Sequence, residues 1–130
     1  MSEAENHFIQ QFKFKDDKVA PGRSVSYMKM GDLYISKISI DPGIKLGNTY
    51  HKKTRVMFFV SQGRVRFTFK QINTEQVQEI IIENEREAIH VPEFVASTTE
   101  NIGDTKAVII AFSNESLQSD DRFEYHVKDL

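Results

Sequence analysis

The segment Gly43-Ile44-Lys45-Leu46-Gly47-Asn48-Thr49-Tyr50-His51-Lys52-Lys53-Thr54-Arg55-Val56-Met57-Phe58-Phe59-Val60-Ser61-Gln62-Gly63 decides how the rest of the chain is read. It predicts two strands, the first ending at His51 and the second covering Arg55 to Val60, joined as a hairpin by the charged turn Lys52 to Thr54. Gly63 then reverses the chain into Arg64-Val65-Arg66-Phe67-Thr68-Phe69-Lys70, where Val65, Phe67 and Phe69 face inward and Arg64, Arg66, Thr68 and Lys70 face out. Side chains two apart on a strand share a side. Thr49 and His51 therefore belong together, as do Val56, Phe58 and Val60. Faces of this kind predict a pocket wall carrying a single titratable group.

Toward the N-terminus, Asp41-Pro42-Gly43 is a turn, because proline fixes φ and glycine accepts a positive φ. Arg23 to Met30 and Asp32 to Ile40 are β-rich runs of a hairpin about Gly31. Within the second run the apolar positions switch from odd (Leu33, Ile35) to even (Ile38, Ile40), which a β-bulge would explain. Asp16-Asp17-Lys18 and Pro21-Gly22 have turn chemistry. Phe8, Phe12 and Phe14 share a period-2 face and predict a first strand from His7 to Lys15, after a frayed terminus over residues 1–6.

Toward the C-terminus, strands are expected at Val77 to Ile82, at Ala88 to Val91 with Pro92 as the stop, at Phe94 to Thr99 and at Lys106 to Phe112. The last of these is almost wholly apolar, as for a strand buried on both faces. Ser113 to Asp121 is polar and has room for a helical turn, and Phe123, Tyr125 and Val127 alternate in a final strand. Many short strands without an amphipathic helix indicate one all-β domain over residues 1–130, an antiparallel sandwich or barrel.

Composition narrows the function classes. A chain of 130 residues suits one domain and buries roughly two-thirds of its unfolded surface. A net charge of −2 without a basic cluster argues against nucleic acid as partner. The chain has no Cys, which rules out disulfides and thiolate chemistry and fits a reducing compartment. The acidic start Met1-Ser2-Glu3 is unlike a secretory signal, and no apolar run approaches the roughly 20 residues of a membrane span, so the expected setting is cytoplasm with no membrane partner.

The segment from Gly43 to Gly63 resembles the first signature of the cupin superfamily: Gly, five residues, His-x-His, three or four residues, Glu, six residues, Gly. Gly43, His51 and Gly63 fall in register, with Thr49 at the first His position and Val56 at the Glu position. Arg86 to Asn101 is similar to the second signature, in which Pro92 and Asn101 match, Arg86 and Phe94 replace glycines, and Ser97 replaces the His. The resemblance implies a small antiparallel jelly-roll barrel. Of the four metal-ligand positions it implies (Thr49, His51, Val56, Ser97), only His51 keeps a metal-binding side chain, so no metal and no cofactor is expected and iron-dependent oxygenation is the least favoured chemistry.

The runs Gly47 to Lys53 and Phe58 to Gly63, with the ending Asp120-Asp121-Arg122-Phe123-Glu124-Tyr125, look most like cupins of surface-polysaccharide biosynthesis, which include nucleotide-sugar 3,4-ketoisomerases. That likeness implies proton transfer beside a keto group, with His51 as general base. It implies ligand contacts from Thr49 and Ser97, and from Tyr27, Tyr34 and Lys37 of the early hairpin. It also implies a small sugar or nucleotide-sugar ligand and a homodimer. Because Thr49 stands where that group usually has a second histidine, a sugar-binding barrel without turnover, or a partner subunit, stays open beside the enzyme. His90 lies between Ile89 and Val91 and is expected to point away from the interior, while His7 and His126 are not site candidates. Tyr50 and Lys52 are expected opposite His51, facing solvent or a partner, and Arg64, Arg66 and Lys70 form an outer basic strip.

Overall fold

Short strands that are apolar on one side need a second sheet to cover that side. In the computed structural model, which describes residues 8–117 and 120–125, two facing antiparallel sheets meet this need. One runs in the order β1 (Lys15–Ala20), β2 (Arg23–Met30), β3 (Leu33–Ile40), β10 (Ala107–Ser113), β5 (Val56–Gln62), β8 (Ala88–Val91). The other runs β11 (Phe123–Glu124), β4 (Lys45–Tyr50), β9 (Val95–Asn101), β6 (Val65–Gln71), β7 (Val77–Ile82). The all-β antiparallel barrel read from the sequence is what forms, and among the described residues no helix is long and apolar enough to cross a membrane. The expected frayed terminus (1–6), His7, His126 and Val127 lie outside the described residues.

The core sits between the sheets. Ile38, Ile40, Val60 and Ile109 from one sheet meet Val65, Phe67, Phe69 and Ile82 from the other. Phe67 is fully buried, with Phe58 and Phe69 at ring-centroid distances of 5.4 and 6.0 Å. Asn101 closes the end of this core. It is buried, its Nδ2 donates to the carbonyls of Ile40 (3.0 Å) and Thr105 (2.9 Å), and its Oδ1 accepts from Gly103 N–H (2.9 Å). Burying an amide costs little when its donors and acceptor are matched in this way.

Several expectations are corrected. Residues 8–14 form no strand, and Phe8, Phe12 and Phe14 are exposed; β1 instead covers Asp16-Asp17-Lys18, read as a turn, because β2 offers it a free edge with a register shift between Asp16 and Lys18. β4 and β5 are not a hairpin: they belong to different sheets, and the loop between them crosses from one to the other. β3 has no bulge, since its register against β2 and β10 is unbroken; Ser36, Ile38 and Ile40 face inward, and Leu33 and Ile35 take the outer side. β10 is covered on one face only, with Ala107, Ile109 and Ala111 buried and Phe112 partly exposed on the other side. Among the described residues of 113–121 there is no helix. Thr68 does lie on the outer side of β6 but is buried, paired across to Thr98 of β9. The outer basic strip is matched with acid: Arg64 to Glu83 (2.8 Å), Arg66 to Glu100 (3.2 Å), and Lys70 to Glu75 (3.6 Å).

Candidate functional site

The site is made by one irregularity in β4. Opposite β9, Gly47 pairs with Thr98 and Thr49 with Ser97, so Asn48 is an extra residue bulged out of the ladder. Gly47 has φ +123° and Asn48 φ 65°. No larger residue fits at Gly47, because a Cβ would stand 2.7 Å from Thr98 Cα and closer still to the Ser97 carbonyl oxygen. The bulge changes the parity of the strand, so that Leu46 before it and Thr49 and His51 after it all line one cavity.

That cavity has a volume of about 130 Å³. Its polar side includes Thr49, His51, Ser97 and Thr99; its apolar side includes Val25, Ile38, Val56, Phe58 and Ile109. The three motif residues expected to converge, Thr49, His51 and Ser97, are therefore together. Tyr27, Tyr34 and Lys37, expected at the ligand, are not part of the lining of this cavity. Lys37 alternates with the buried Ser36 and Ile38 and so faces outward; the Tyr34 ring lies under Lys29 Nζ (5.2 Å); Tyr27 sits opposite Ser36, further along the sheet. Two arginines that the sequence reading passed over, Arg23 and Arg122, do line the cavity. Arg23 shares the side of Val25 on β2, and Arg122 belongs to the Asp120-to-Tyr125 ending, which are the signals that could have found them.

His51 is half-buried, and its Nε2 is shielded from solvent with no hydrogen-bond partner. Such an unmet group costs about 1–3 kcal/mol unless a ligand satisfies it. Burial pushes the His51 pKa below its ordinary 6.5; Asp121 opposes this and Arg122 adds to it. The imidazole is therefore neutral at pH 7 and able to take a proton.

The backbone around His51 is held by the C-terminal segment. One oxygen of Asp121 accepts from Lys52 N–H (3.0 Å), and the other from Lys53 N–H (2.7 Å), Thr54 N–H (2.8 Å) and Thr54 Oγ1 (2.8 Å). Burial alone would raise the Asp121 pKa, but the hydrogen bonds from the Thr54 hydroxyl and the loop N–H groups outweigh it and hold the carboxyl at about 2. Asn114 clamps the same loop from the other side, accepting from Arg55 N–H (2.8 Å) and donating to the Lys53 carbonyl (3.2 Å). Tyr50, expected to face solvent or a partner, instead packs on Phe94, Phe123 and Tyr125, with Lys52 Nζ 4.3 Å from the Phe123 ring centroid. Phe94, at the position of a motif glycine, adopts φ 61° and donates its N–H to the His51 carbonyl (2.7 Å). His90 is exposed, as expected.

The donors at the cavity do not suit a transition metal. At the positions a metal-binding cupin would use stand one imidazole, two hydroxyls and the hydrocarbon of Val56, and among the described residues no three His, Cys, Asp or Glu side chains are grouped to hold a metal ion.

The profile of the family described as "Polysaccharide biosynthesis C-terminal domain" matches residues 22–125. A search of curated proteins found no match. Among solved structures, the capsular polysaccharide assembling protein CapF from Staphylococcus aureus superposes with a TM-score of 0.80 at 24% identity, covering 90% of this chain and 35% of that one. CapF with the inhibitor 3-isopropenyl-tropolone gives 0.79 at 24% identity, covering 90% and 35%. Oxalate decarboxylase OxdC of Bacillus subtilis gives 0.72 at 15% identity, covering 82% and 29%. This chain thus spans about a third of the length of these proteins, and the likeness to them is one of fold.

Proposed function

The chain belongs to the polysaccharide biosynthesis C-terminal domain family, and from that premise we propose that its cavity takes the ring of a keto-sugar, carried on a nucleotide or another surface-polysaccharide precursor, with His51 as general base. The observation that carries this reading is the His51 Nε2, unpartnered and shielded from water in a cavity that also offers the hydroxyls of Thr49, Ser97 and Thr99. A cavity of about 150 Å³ accepts benzene. At about 130 Å³ and open on one side, this one admits a pyranose ring only in part, and a nucleotide would stay outside. His51 removes the proton from the hydroxyl-bearing ring carbon beside the keto carbon, giving an enediolate; the proton of that hydroxyl passes by way of solvent to the former keto oxygen, and His51 returns its own proton to the former keto carbon. The step is an isomerisation with no net oxidation, and it needs no metal. Thr49 and Ser97 are the donors at hand for the ring oxygens.

The test is the uptake of solvent deuterium into a dTDP- or UDP-linked 4-keto-sugar, followed by NMR. Exchange is expected with the native chain and absent with His51→Ala; exchange that survives His51→Ala rules the residue out as base. A second reading has its own support, since among the described residues no carboxylate lines the cavity to act as partner acid. In it the barrel binds the sugar without turnover, and the native chain shows a thermal shift with the sugar but no exchange.

A homodimer also belongs to the proposal. Phe8 (93% exposed), Ile9 (70%) and Phe12 (50%) present apolar surface among the described residues, and Met57 and Phe112 lie side by side on the outer face of the six-stranded sheet. Light scattering after size exclusion should report twice the 15.0 kDa chain mass; the monomer mass contradicts it.

A further inference from the structure

Arg23 and Arg122 reach one cavity from different parts of the fold, β2 and the segment leading into β11. Among the described residues neither guanidinium makes a hydrogen bond or ion pair. This contrasts with Arg64 and Arg66, whose guanidiniums meet Glu83 and Glu100. Among the described residues the lining of the cavity contains no Asp or Glu, and both carboxylate oxygens of the nearby Asp121 accept hydrogen bonds from the loop from Lys52 to Thr54. Two permanently charged, planar donors thus line one partly open cavity whose described lining residues include no acid. Guanidinium groups match phosphate and carboxylate oxygens in a forked, paired geometry, and they gain most where water is excluded.

We infer that the ligand of this cavity is an anion: a sugar ring bearing a phosphate or carboxylate group that Arg23 and Arg122 hold between them, with the ring against Val25, Ile38 and Phe58. The inference rests on the sugar reading above and adds the charge. The acidic group has three chemical sources, a sugar phosphate, a uronic acid, or the diphosphate that links a sugar to a nucleotide. In each case it ties β2 to the C-terminal segment beside His51.

The test is titration calorimetry on the full chain with four probes: glucose 1-phosphate, glucuronate, UDP-glucose and uncharged glucose. At least one acidic probe is expected to bind at least about tenfold more tightly than glucose. Arg23→Gln and Arg122→Gln should each weaken that probe roughly ten- to a hundred-fold. Arg23→Lys and Arg122→Lys should recover part of the loss and carry the test if a glutamine variant fails to melt cooperatively. The tightest acidic probe identifies the source of the charge. Glucose binding as tightly as its acids, or acidic probes indifferent to both arginines, overturns the inference and leaves the sugar reading standing. No binding of any of the four also overturns the inference, while the keto-sugar reading stands or falls by its own exchange experiment.

Discussion

Replacing Asp121 by alanine removes a carboxylate that the loop beside His51 depends on. The four hydrogen bonds it accepts from that loop are not equal. The N–H groups of Lys52 and Lys53 are on exposed residues and turn to water when the carboxylate is gone, whereas Thr54 is 1% exposed and leaves both its N–H and its hydroxyl unmet. Unmet buried groups cost about 1–3 kcal/mol each, so the loss is about 3 kcal/mol once the loop relaxes. For a domain of this size that lowers Tm by about 10 °C. Urea and thermal unfolding at pH 7 measure it. The pH dependence gives an independent reading. The folded carboxyl is held at about 2 against an ordinary 3.8, so its contribution is full above 3.8 and is lost as pH falls toward 2. Asp121→Asn should lose this part of the acid sensitivity along with stability. A change of less than about 1 kcal/mol in Asp121→Ala would refute the view that this carboxylate clamps the loop.

Gly47→Ala should destabilise by about 2–4 kcal/mol in denaturant unfolding, because its Cβ meets the β9 backbone at a positive φ; a neutral result contradicts the bulge. Asn101→Ala should cost about 3 kcal/mol, since the carbonyls of Ile40 and Thr105 and the Gly103 N–H all lose their partner at the closed end of the core. The His51 ring, followed by NMR against pH, should titrate below 6.5. The linked stability is then present above 6.5 and falls as pH drops through the folded value, because the unfolded chain takes up the proton first. His51→Gln should remove that dependence.

The fold was legible wherever alternation and turn chemistry agreed. The bounds expected for β7 and β8 are those observed, and the β2–β3 hairpin turns at Gly31. The early Phe8, Phe12 and Phe14 misled because alternation records a strand-like pattern, not the presence of a partner strand, and among the described residues no strand edge receives them. Reading β4 and β5 as a hairpin failed because what holds the intervening loop is Asp121, distant in sequence. The convergence of Thr49, His51 and Ser97 was legible from motif positions alone; the Asn48 bulge that produces it was not. Phe94 shows the same limit from the other side: the backbone keeps a glycine's conformation although the residue is not glycine. Arg23 was hidden because the inward phase of β2 depends on its pairing with β3, which local sequence does not state.

The most direct test is the nitrogen-15 NMR signal of the His51 ring, recorded during titration with a nucleotide-linked 4-keto-sugar and, separately, with one equivalent of zinc. The sugar should move the Nε2 signal, and the zinc should leave it in place. An Nε2 signal that no sugar moves, or that zinc captures, contradicts a cavity in which a lone neutral imidazole meets the ligand itself.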